Sequence, residues 1–343
     1  MRQTAHPRRA YQAPDSPNRK GSELNRYGSD HPSLPLPLAV VVGPTAAGKT
    51  ALSVALAERI GGEVVNADSM QLYRGMDIGT AKITEEEKRG VPHHAFDLWD
   101  VTEPADVARY QAAARAAIED IAARGRRPVL VGGSGLYVQA AADVMEFPGT
   151  DPELRARLEA ELEEKGSGTL WRRLREKDAE AAEGILPSNG RRIVRALEVI
   201  ELTGSFKATL PEPRPYYPAV RVGVDMDTPA LDERIERRVD LMWERGLIGE
   251  TRELESRGLR EGRTASRALG YQQVLKFLAG ECSEAQAHAE TVSKTRRFVR
   301  RQRSWFKRDG RIEWLNAAGD DLLAKSEEIV ARADAEFRRE AGA

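Results

Sequence analysis

Residues Gly43-Pro44-Thr45-Ala46-Ala47-Gly48-Lys49-Thr50 spell G-x-x-x-x-G-K-T. The run before them, Leu38 to Val42, is wholly apolar, as a parallel strand buried on both faces requires. After them, Leu52, Leu56 and Ile60 fall on one helical face, and Gly61-Gly62 ends the helix. Strand, glycine loop and helix in that order form a phosphate cradle. The glycines let backbone N–H groups turn inward, and the helix N-terminus favours an anion. Lys49 supplies a point charge for the terminal phosphate. Thr50 supplies a hydroxyl for Mg²⁺ or phosphate. The loop therefore announces a polyphosphate ligand without naming it.

The same texture continues down the chain. Glu63 to Ala67 reads as a second strand. Residues 105–124 place Val107, Tyr110, Ala114, Ile118 and Ile121 on one stripe, with Gly125 as the stop. Pro128 to Val131 is another buried strand, ending in Gly132-Gly133. Strands alternating with helices predict an α/β fold with a parallel sheet. At Asp151-Pro152, a helix cap with proline in the first turn, the pattern turns almost wholly helical and charge-rich as far as residue 204. Pro211 to Pro218 closes that region. Val220, Val222, Val224 and Met226 then alternate with Arg221, Gly223 and Asp225, which is strand periodicity.

The expected organisation is a disordered tail at 1–35, the first part of an α/β core at 36–150 and a helical insertion at 151–215. The core then continues over 216–320 with basic helices, and 321–343 is a helical tail. Six of the 18 prolines lie in residues 1–37, which supports the tail assignment.

Several residues can carry chemistry at the sheet edge. Asp68 follows the second strand, and in a parallel sheet the C-terminal strand ends share one edge with the phosphate loop. A carboxylate there can bind Mg²⁺, cap the next helix or act as a general base. Gly132-Gly133-Ser134-Gly135 reaches the same edge, where Ser134 offers a hydroxyl, and a structural turn is as good a reading. Gly79-Thr80-Ala81-Lys82 is ambiguous in the same way. His93-His94 fits a structural or hydrogen-bonding role, because adjacent side chains point apart and no partner ligands lie nearby.

Lys294 to Arg308 carries eight basic residues in fifteen and no acidic one, with Phe298, Val299, Trp305 and Phe306 interleaved. A positive helix face anchored by aromatics suits a phosphate backbone. The alternative is a solvated helix whose aromatics dock into the core. Arg191, Arg192 and Arg195 form a second basic face, and Arg234 and Arg238 project together at i,i+4. The whole chain has 53 basic and 54 acidic residues, so any nucleic-acid site is a local patch rather than a global field.

Taken together, GPTAAGKT at 43–50, NADSMQLYRGMDIGTAK at 66–82, PHHAFDLWDVTEP at 92–104, LVGGSGLYV at 130–138 and NGRRIVRALEVIELTG at 189–204 resemble the tRNA dimethylallyltransferase (tRNA isopentenyltransferase) family of bacterial type. GYQQ at 270–273 and the basic helix at 294–308 also fit. The resemblance implies a P-loop nucleotide-kinase-like core with a helical insertion. It implies transfer of a dimethylallyl group from dimethylallyl diphosphate to N6 of the adenosine beside the anticodon, at position 37 of tRNA, with Mg²⁺ assisting departure of diphosphate. Gly43, Pro44, Thr45, Ala46, Ala47, Gly48, Lys49, Thr50, Arg234 and Arg238 then hold the diphosphate, with Mg²⁺ on Thr50 directly or through water. Asp68 becomes the general base, and Thr50 and Ser134 join it in the catalytic set. The tRNA contacts fall on Asp68, Ser69, Met70, Gln71, Ser134, Arg155, Arg191, Arg192, Arg195, Arg300 and Arg301. The adenosine must leave its stack to reach the crevice.

Three rivals share the phosphate loop: a kinase for a small metabolite, an adenylate isopentenyltransferase using free nucleotide, and a non-enzymatic RNA-binding protein with a vestigial loop, against which the intact Gly48-Lys49-Thr50 and Asp68 argue. The Gly-Gly-Ser strand end argues against the first, which needs a Walker-B acid. The insertion and the basic helix argue against the second. Cys282 is the single cysteine, which excludes intramolecular disulfides and fits a reducing cytoplasm. No apolar run approaches the ~18 residues of a membrane span. The expected state is a cytoplasmic monomer.

Overall fold

A computed structural model describes residues 34–208 and 212–342. The tail assigned to 1–35 lies almost wholly outside the described residues. Six strands form one parallel sheet: β1 (Leu38–Val42), β2 (Gly62–Asn66), β3 (His93–His94), β4 (Arg127–Gly132), β5 (Ala219–Asp225) and β6 (Ile312–Asn316). Their order is β3-β2-β4-β1-β5-β6, and every pairing is parallel. β1 is thus flanked by β4 and β5, and its loop opens between their C-terminal ends.

The apolar run of β1 divides between two cores. Leu38, Val40 and Val42 pack on one face with Tyr110, Ile118 and Ile121 of α3 (Val107–Ala123) and the buried alanines of α4 (Gly135–Ala142). Ala39 and Val41 pack on the other with Leu52 and Leu56 of α1 (Lys49–Ile60). Each fully buried valine or leucine contributes about 1.5–3 kcal/mol relative to an exposed one. Asp106 starts α3 by accepting from the Ala108 and Arg109 amides, and Gly125 turns just beyond its end with φ 72°.

Two strands escaped the sequence reading. β3 has only two residues, and β6 exposes Trp314 beside charged neighbours. The alternation in β5 does not mark a wet face either. Arg221 is buried among Asp143 and Asp309, and Gly223 lies under Ile312 and Trp314.

The short helix α2 (Glu85–Lys88) precedes β3. α5 (Pro152–Lys177), α6 (Ala179–Glu183) and α7 (Gly190–Thr203) share a separate apolar cluster built on Leu154, Leu158, Leu170, Leu174, Ile193 and Leu197. α5 is interrupted at Gly166, where φ is 74°. Paired connecting segments join this unit to the core: Val144 donates to Arg214 O at 2.7 Å, and Tyr216 to Ala142 O at 2.9 Å. The remaining helices are α8 (Thr228–Glu244), α9 (Leu247–Ser256), α10 (Tyr271–Leu278), α11 (Glu284–Phe306) and α12 (Leu322–Ala341).

Candidate active site

The C-terminal ends of β2 and β4 and the loop after β1 border a cleft of about 1030 Å³. Its lining includes Thr45, Gly48, Lys49, Thr50, Asp68, Gln71, Gly133, Arg234 and Arg238. Gly43 starts the phosphate loop against β5: a Cβ there would stand 2.1 Å from Val224 O, and its φ is 147°. Gly48 caps α1 with φ 93°. Arg234 Nη1 lies 3.9 Å from where a Gly48 Cβ would be, so α8 brings its guanidinium to the loop.

Lys49 Nζ donates to Pro44 O at 2.7 Å. Burial pushes its ammonium down to about 8 from the ordinary 10.5; Asp68 and Asp225 pull the other way, and Arg238 adds to the lowering. Burial also lowers Arg238, against the attraction of Asp68. Lys49 thus feels Asp68, Arg238 and Asp225, and Arg238 feels Asp68. An incoming polyanion would restore the ammonium that burial disfavours.

Asp68 does not cap a helix. Its Oδ1 accepts from the Met70 amide at 3.0 Å in a tight turn, and its own amide donates to Asn66 Oδ1 at 2.9 Å. Asn66 is fixed in turn, because Tyr110 Oη donates to its carbonyl at 2.9 Å and its Nδ2 donates to Ala95 O at 3.1 Å. Ser134 follows β4 and accepts from the Ser69 amide at 3.2 Å, while the two serine hydroxyls sit 3.3 Å apart. The turns after β2 and β4 are thereby stitched together beside the phosphate loop.

Asp68, Thr45, Arg238 and Met242 also border a second pocket of about 100 Å³, whose wall includes the apolar side chains Met70, Ile235, Val239, Leu269 and Phe298. Asp68 and Arg238 stand where the cationic cleft meets that apolar pocket.

The glycine turn after β4 makes room for the protein itself. A Cβ on Gly133 would lie 2.5 Å from Gln302 Nε2, and one on Gly135 would lie 2.2 Å from the Trp305 ring. Both partners belong to α11. Gln302 Oε1 accepts from the Thr45 amide at 2.9 Å, and its Nε2 donates to Gly133 O at 2.8 Å. Gln302 was invisible in the sequence except as a neutral residue inside a basic run. Asp225 was missed as well: β5 is the second neighbour of β1, so a carboxylate does end a strand beside the loop. It is held by Arg303, whose Nε donates to it at 3.0 Å.

The basic residues separate into two groups. Val299 and Phe306 are buried, so the aromatic and apolar side of α11 docks into the core. Arg296 pairs with Glu236, and Arg303 with Asp225. Arg300 and Arg301 are exposed and form no ion pair among the described residues, with Arg301 over the Phe298 ring at 5.7 Å. The basic run is therefore not a single free face. In the insertion, Arg155 and Arg195 converge on Glu198, which is fully buried. Burial opposes the charge of Glu198, but the two guanidiniums outweigh it and hold the carboxyl below its usual range. Arg195 also donates to Pro148 O and Gly149 O. Arg155 and Arg195 thus hold α5, α7 and the connecting segment together. Arg191 and Arg192 stay exposed at the start of α7, Arg192 touching Ala208 O. The two histidines make hydrogen bonds: His93 Nδ1 with Val91 O and His94 Nε2 with Glu63, both at 2.7 Å.

Among the described residues, no three His, Cys, Asp or Glu side chains cluster into a metal cage. The Thr50 hydroxyl at the cleft is a donor that would hold Mg²⁺ accompanying a diphosphate, where the ion would supply charge neutralisation.

The sequence pattern of the IPP transferase family matches residues 71–309, and that of isopentenyl transferase matches 36–98. The chain is 68% identical over 288 residues to the tRNA dimethylallyltransferase of Salinispora arenicola, covering 84% of each chain. It belongs to the tRNA dimethylallyltransferase family. A further family member, from Thermobifida fusca, is 62% identical, with 84% of this chain and 93% of that protein covered. The crystal structure of the tRNA isopentenylpyrophosphate transferase of Bacillus halodurans matches with TM-score 0.67 and 40% identity, over 89% of this chain and 99% of that one. A eukaryotic dimethylallyltransferase acting on tRNA matches with TM-score 0.70 and 26% identity, over 86% and 78%.

Proposed function

We propose that the chain is a prenyltransferase that moves a dimethylallyl group from dimethylallyl diphosphate to N6 of the adenosine beside the anticodon in tRNA. The observation that carries this reading is the placement of Asp68 between the phosphate loop and the apolar pocket, in a chain whose relatives at 62–68% identity are tRNA dimethylallyltransferases. The metabolite kinase and the free-nucleotide transferase find no support among those relatives.

In this mechanism the N6 lone pair attacks C1 of the allyl group, and the C1–O bond breaks with its electron pair leaving on the diphosphate. The N6 proton passes to the Asp68 carboxylate, whose Oδ1 is already oriented by the Met70 amide. Lys49, Arg234, Arg238 and the loop amides stabilise the charge that accumulates on the departing diphosphate. Mg²⁺ held at Thr50 would add further neutralisation of that charge. Ser134 fixes the Ser69 turn against which the adenine rests. Met70, Ile235 and Met242 give the allylic carbons an unsolvated wall, which protects them from water. The helical unit at 151–215 and the exposed Arg191, Arg192, Arg300 and Arg301 make the tRNA contacts. The enzyme works in the cytoplasm as a monomer.

Incubation of the full chain with dimethylallyl diphosphate and unmodified tRNA, followed by mass analysis of the nucleosides, tests the reading. N6-isopentenyladenosine at a single anticodon-adjacent site is the expected product. Modification of free AMP at the same rate would replace tRNA by nucleotide as the substrate.

A further inference from the structure

Two segments singled out in the sequence, Gly79-Thr80-Ala81-Lys82 and Gly270-Tyr271-Gln272-Gln273, have no role in the mechanism above. The fold brings them together. The segment from Met76 to Lys82 lines the cleft without regular strand or helix, so its backbone N–H groups need partners from elsewhere. Met76, Ala81 and Lys82 bond to carbonyls of the local turn, and one carboxylate supplies the amides of Asp77, Ile78 and Gly79. Glu250 Oε2 accepts from the Ile78 amide at 2.8 Å and the Asp77 amide at 3.2 Å, and Oε1 accepts from the Gly79 amide at 3.2 Å. Tyr271 Oη donates to the same Oε1 at 2.5 Å and also receives the Gly79 amide at 3.2 Å. The Tyr271 ring is fully buried, and a Cβ on Gly79 would stand 2.5 Å from it. Any side chain at residue 79 would push the loop off its support.

The next residue shows what the support does. The Thr80 carbonyl accepts from Arg238 Nη2 at 3.1 Å and from Gln71 Nε2 at 3.2 Å. Arg238 faces the diphosphate cleft, and its Nε has no hydrogen-bond partner although it is buried. The guanidinium is thus tethered at Nη2 while the residue lines the cleft. The tether is only as firm as the loop that carries the Thr80 carbonyl.

We propose that Glu250 and Tyr271 are positioning residues for prenyl transfer: they clamp the backbone of Asp77 to Gly79 so that the Thr80 carbonyl fixes the Arg238 guanidinium on the diphosphate. This rests on the reading above that Arg238 binds diphosphate. Neither residue touches a reacting atom; both act through the loop. A carboxylate suits the task because it alone accepts from three amides and a phenol at once.

Steady-state kinetics of the full chain with Tyr271→Phe, Glu250→Gln, Arg238→Gln and the two double variants test the inference. Tyr271→Phe keeps the buried ring and removes only the hydroxyl, so it reports on the clamp even if a Glu250 variant folds poorly. Each clamp variant is expected to raise KM for dimethylallyl diphosphate about tenfold, the scale of a lost hydrogen bond to a charged group, with tRNA binding unchanged. In the Arg238→Gln background neither clamp variant adds a further increase, because the tether then has nothing to hold. Fold-changes that multiply in the double variants overturn the inference. So does a lowered melting temperature with KM unchanged, which would make the clamp purely structural. An unchanged KM in Arg238→Gln alone would instead remove Arg238 from the diphosphate site, and the proposed route with it.

Discussion

Gln302 and Thr45 are joined across 257 residues by a 2.9 Å hydrogen bond from the Thr45 amide to the Gln302 carboxamide oxygen. The other end of the same side chain donates to Gly133 O. The phosphate loop after β1 and the glycine turn after β4 are therefore held in register by α11, the helix that also presents Arg300 and Arg301. Gln302→Ala leaves a loop amide and a buried carbonyl without their partner. A loss of about 1–3 kcal/mol in denaturant unfolding is expected, with a raised KM for dimethylallyl diphosphate. Gln302→Glu should be worse for the diphosphate, because the carboxylate cannot donate to Gly133 O and brings negative charge to the loop. Unchanged stability and KM in both variants would show that the loop holds its shape alone.

That bond marks the limit of what the sequence could disclose. The strand Leu38 to Val42, the glycine loop and α1 were legible because their signal is contiguous. The helix over 107–123 was legible because its apolar spacing and its Gly125 stop lie within one segment. Asp68 was legible because all strand ends of a parallel sheet share an edge. The order of strands is not written in any local pattern. Which strand flanks β1 decided whether Asp225 stands beside the loop, and the sequence did not say that β5 does. Arg155 and Arg303 looked like free cations because their partners, Glu198 and Asp225, are distant in the chain, whereas the Arg195–Glu198 pair at i,i+3 was within reach of the sequence. Each is an ion-paired strut. The exposed Arg300 and Arg301 differ from Arg303 in what lies within reach, since only Arg303 meets Asp225, and that requires the packed fold.

Lys49 makes the site sensitive to pH. Its ammonium is lowered to about 8 by burial, while in an unfolded chain it keeps its ordinary 10.5. Between those values the unfolded chain holds more protons, so this group makes stability rise with pH across about 8 to 10.5. Below pH 8 both states are charged and the burial penalty is felt in full. A diphosphate favours the ammonium, so binding should take up a proton once pH exceeds about 8. KM for dimethylallyl diphosphate is expected to climb above that pH in the wild type. Lys49→Arg carries a guanidinium that does not titrate there, and its profile should be flat even if its KM is higher throughout. The same climb in Lys49→Arg would assign the pH dependence to another group.

Asp68→Asn tests the base. The amide keeps an oxygen for the Met70 N–H, so the turn should survive, but it cannot accept the N6 proton. Single-turnover transfer is expected to slow by about 10²–10⁴-fold. Affinity for tRNA should hold within a few-fold. Rates near wild type under single-turnover conditions would remove Asp68 from proton transfer and leave it as a turn residue.

The exposed and the ion-paired arginines of α11 give opposite expectations within one helix. Arg300 and Arg301 are exposed and free of acidic partners among the described residues, whereas Arg303 bonds to Asp225, Thr228 and Met226 O at the sheet edge. Replacing Arg300 and Arg301 together by Ala removes two charges from the exposed surface proposed to meet tRNA phosphates. Each phosphate contact contributes close to one unit of salt slope, somewhat less on a single-stranded loop. The plot of log K for tRNA against log salt should therefore shallow by about one and a half units. Thermal stability should change little, because neither side chain holds another element. Arg303→Ala does the reverse. It strips Asp225 of its partner beside the phosphate loop and should lower the melting temperature, leaving the slope as it was. tRNA binding across a salt series, run beside thermal melts on both variants, separates the two. A slope unchanged in the double variant would move the RNA contact off α11 and onto the insertion, where Arg191 and Arg192 remain exposed.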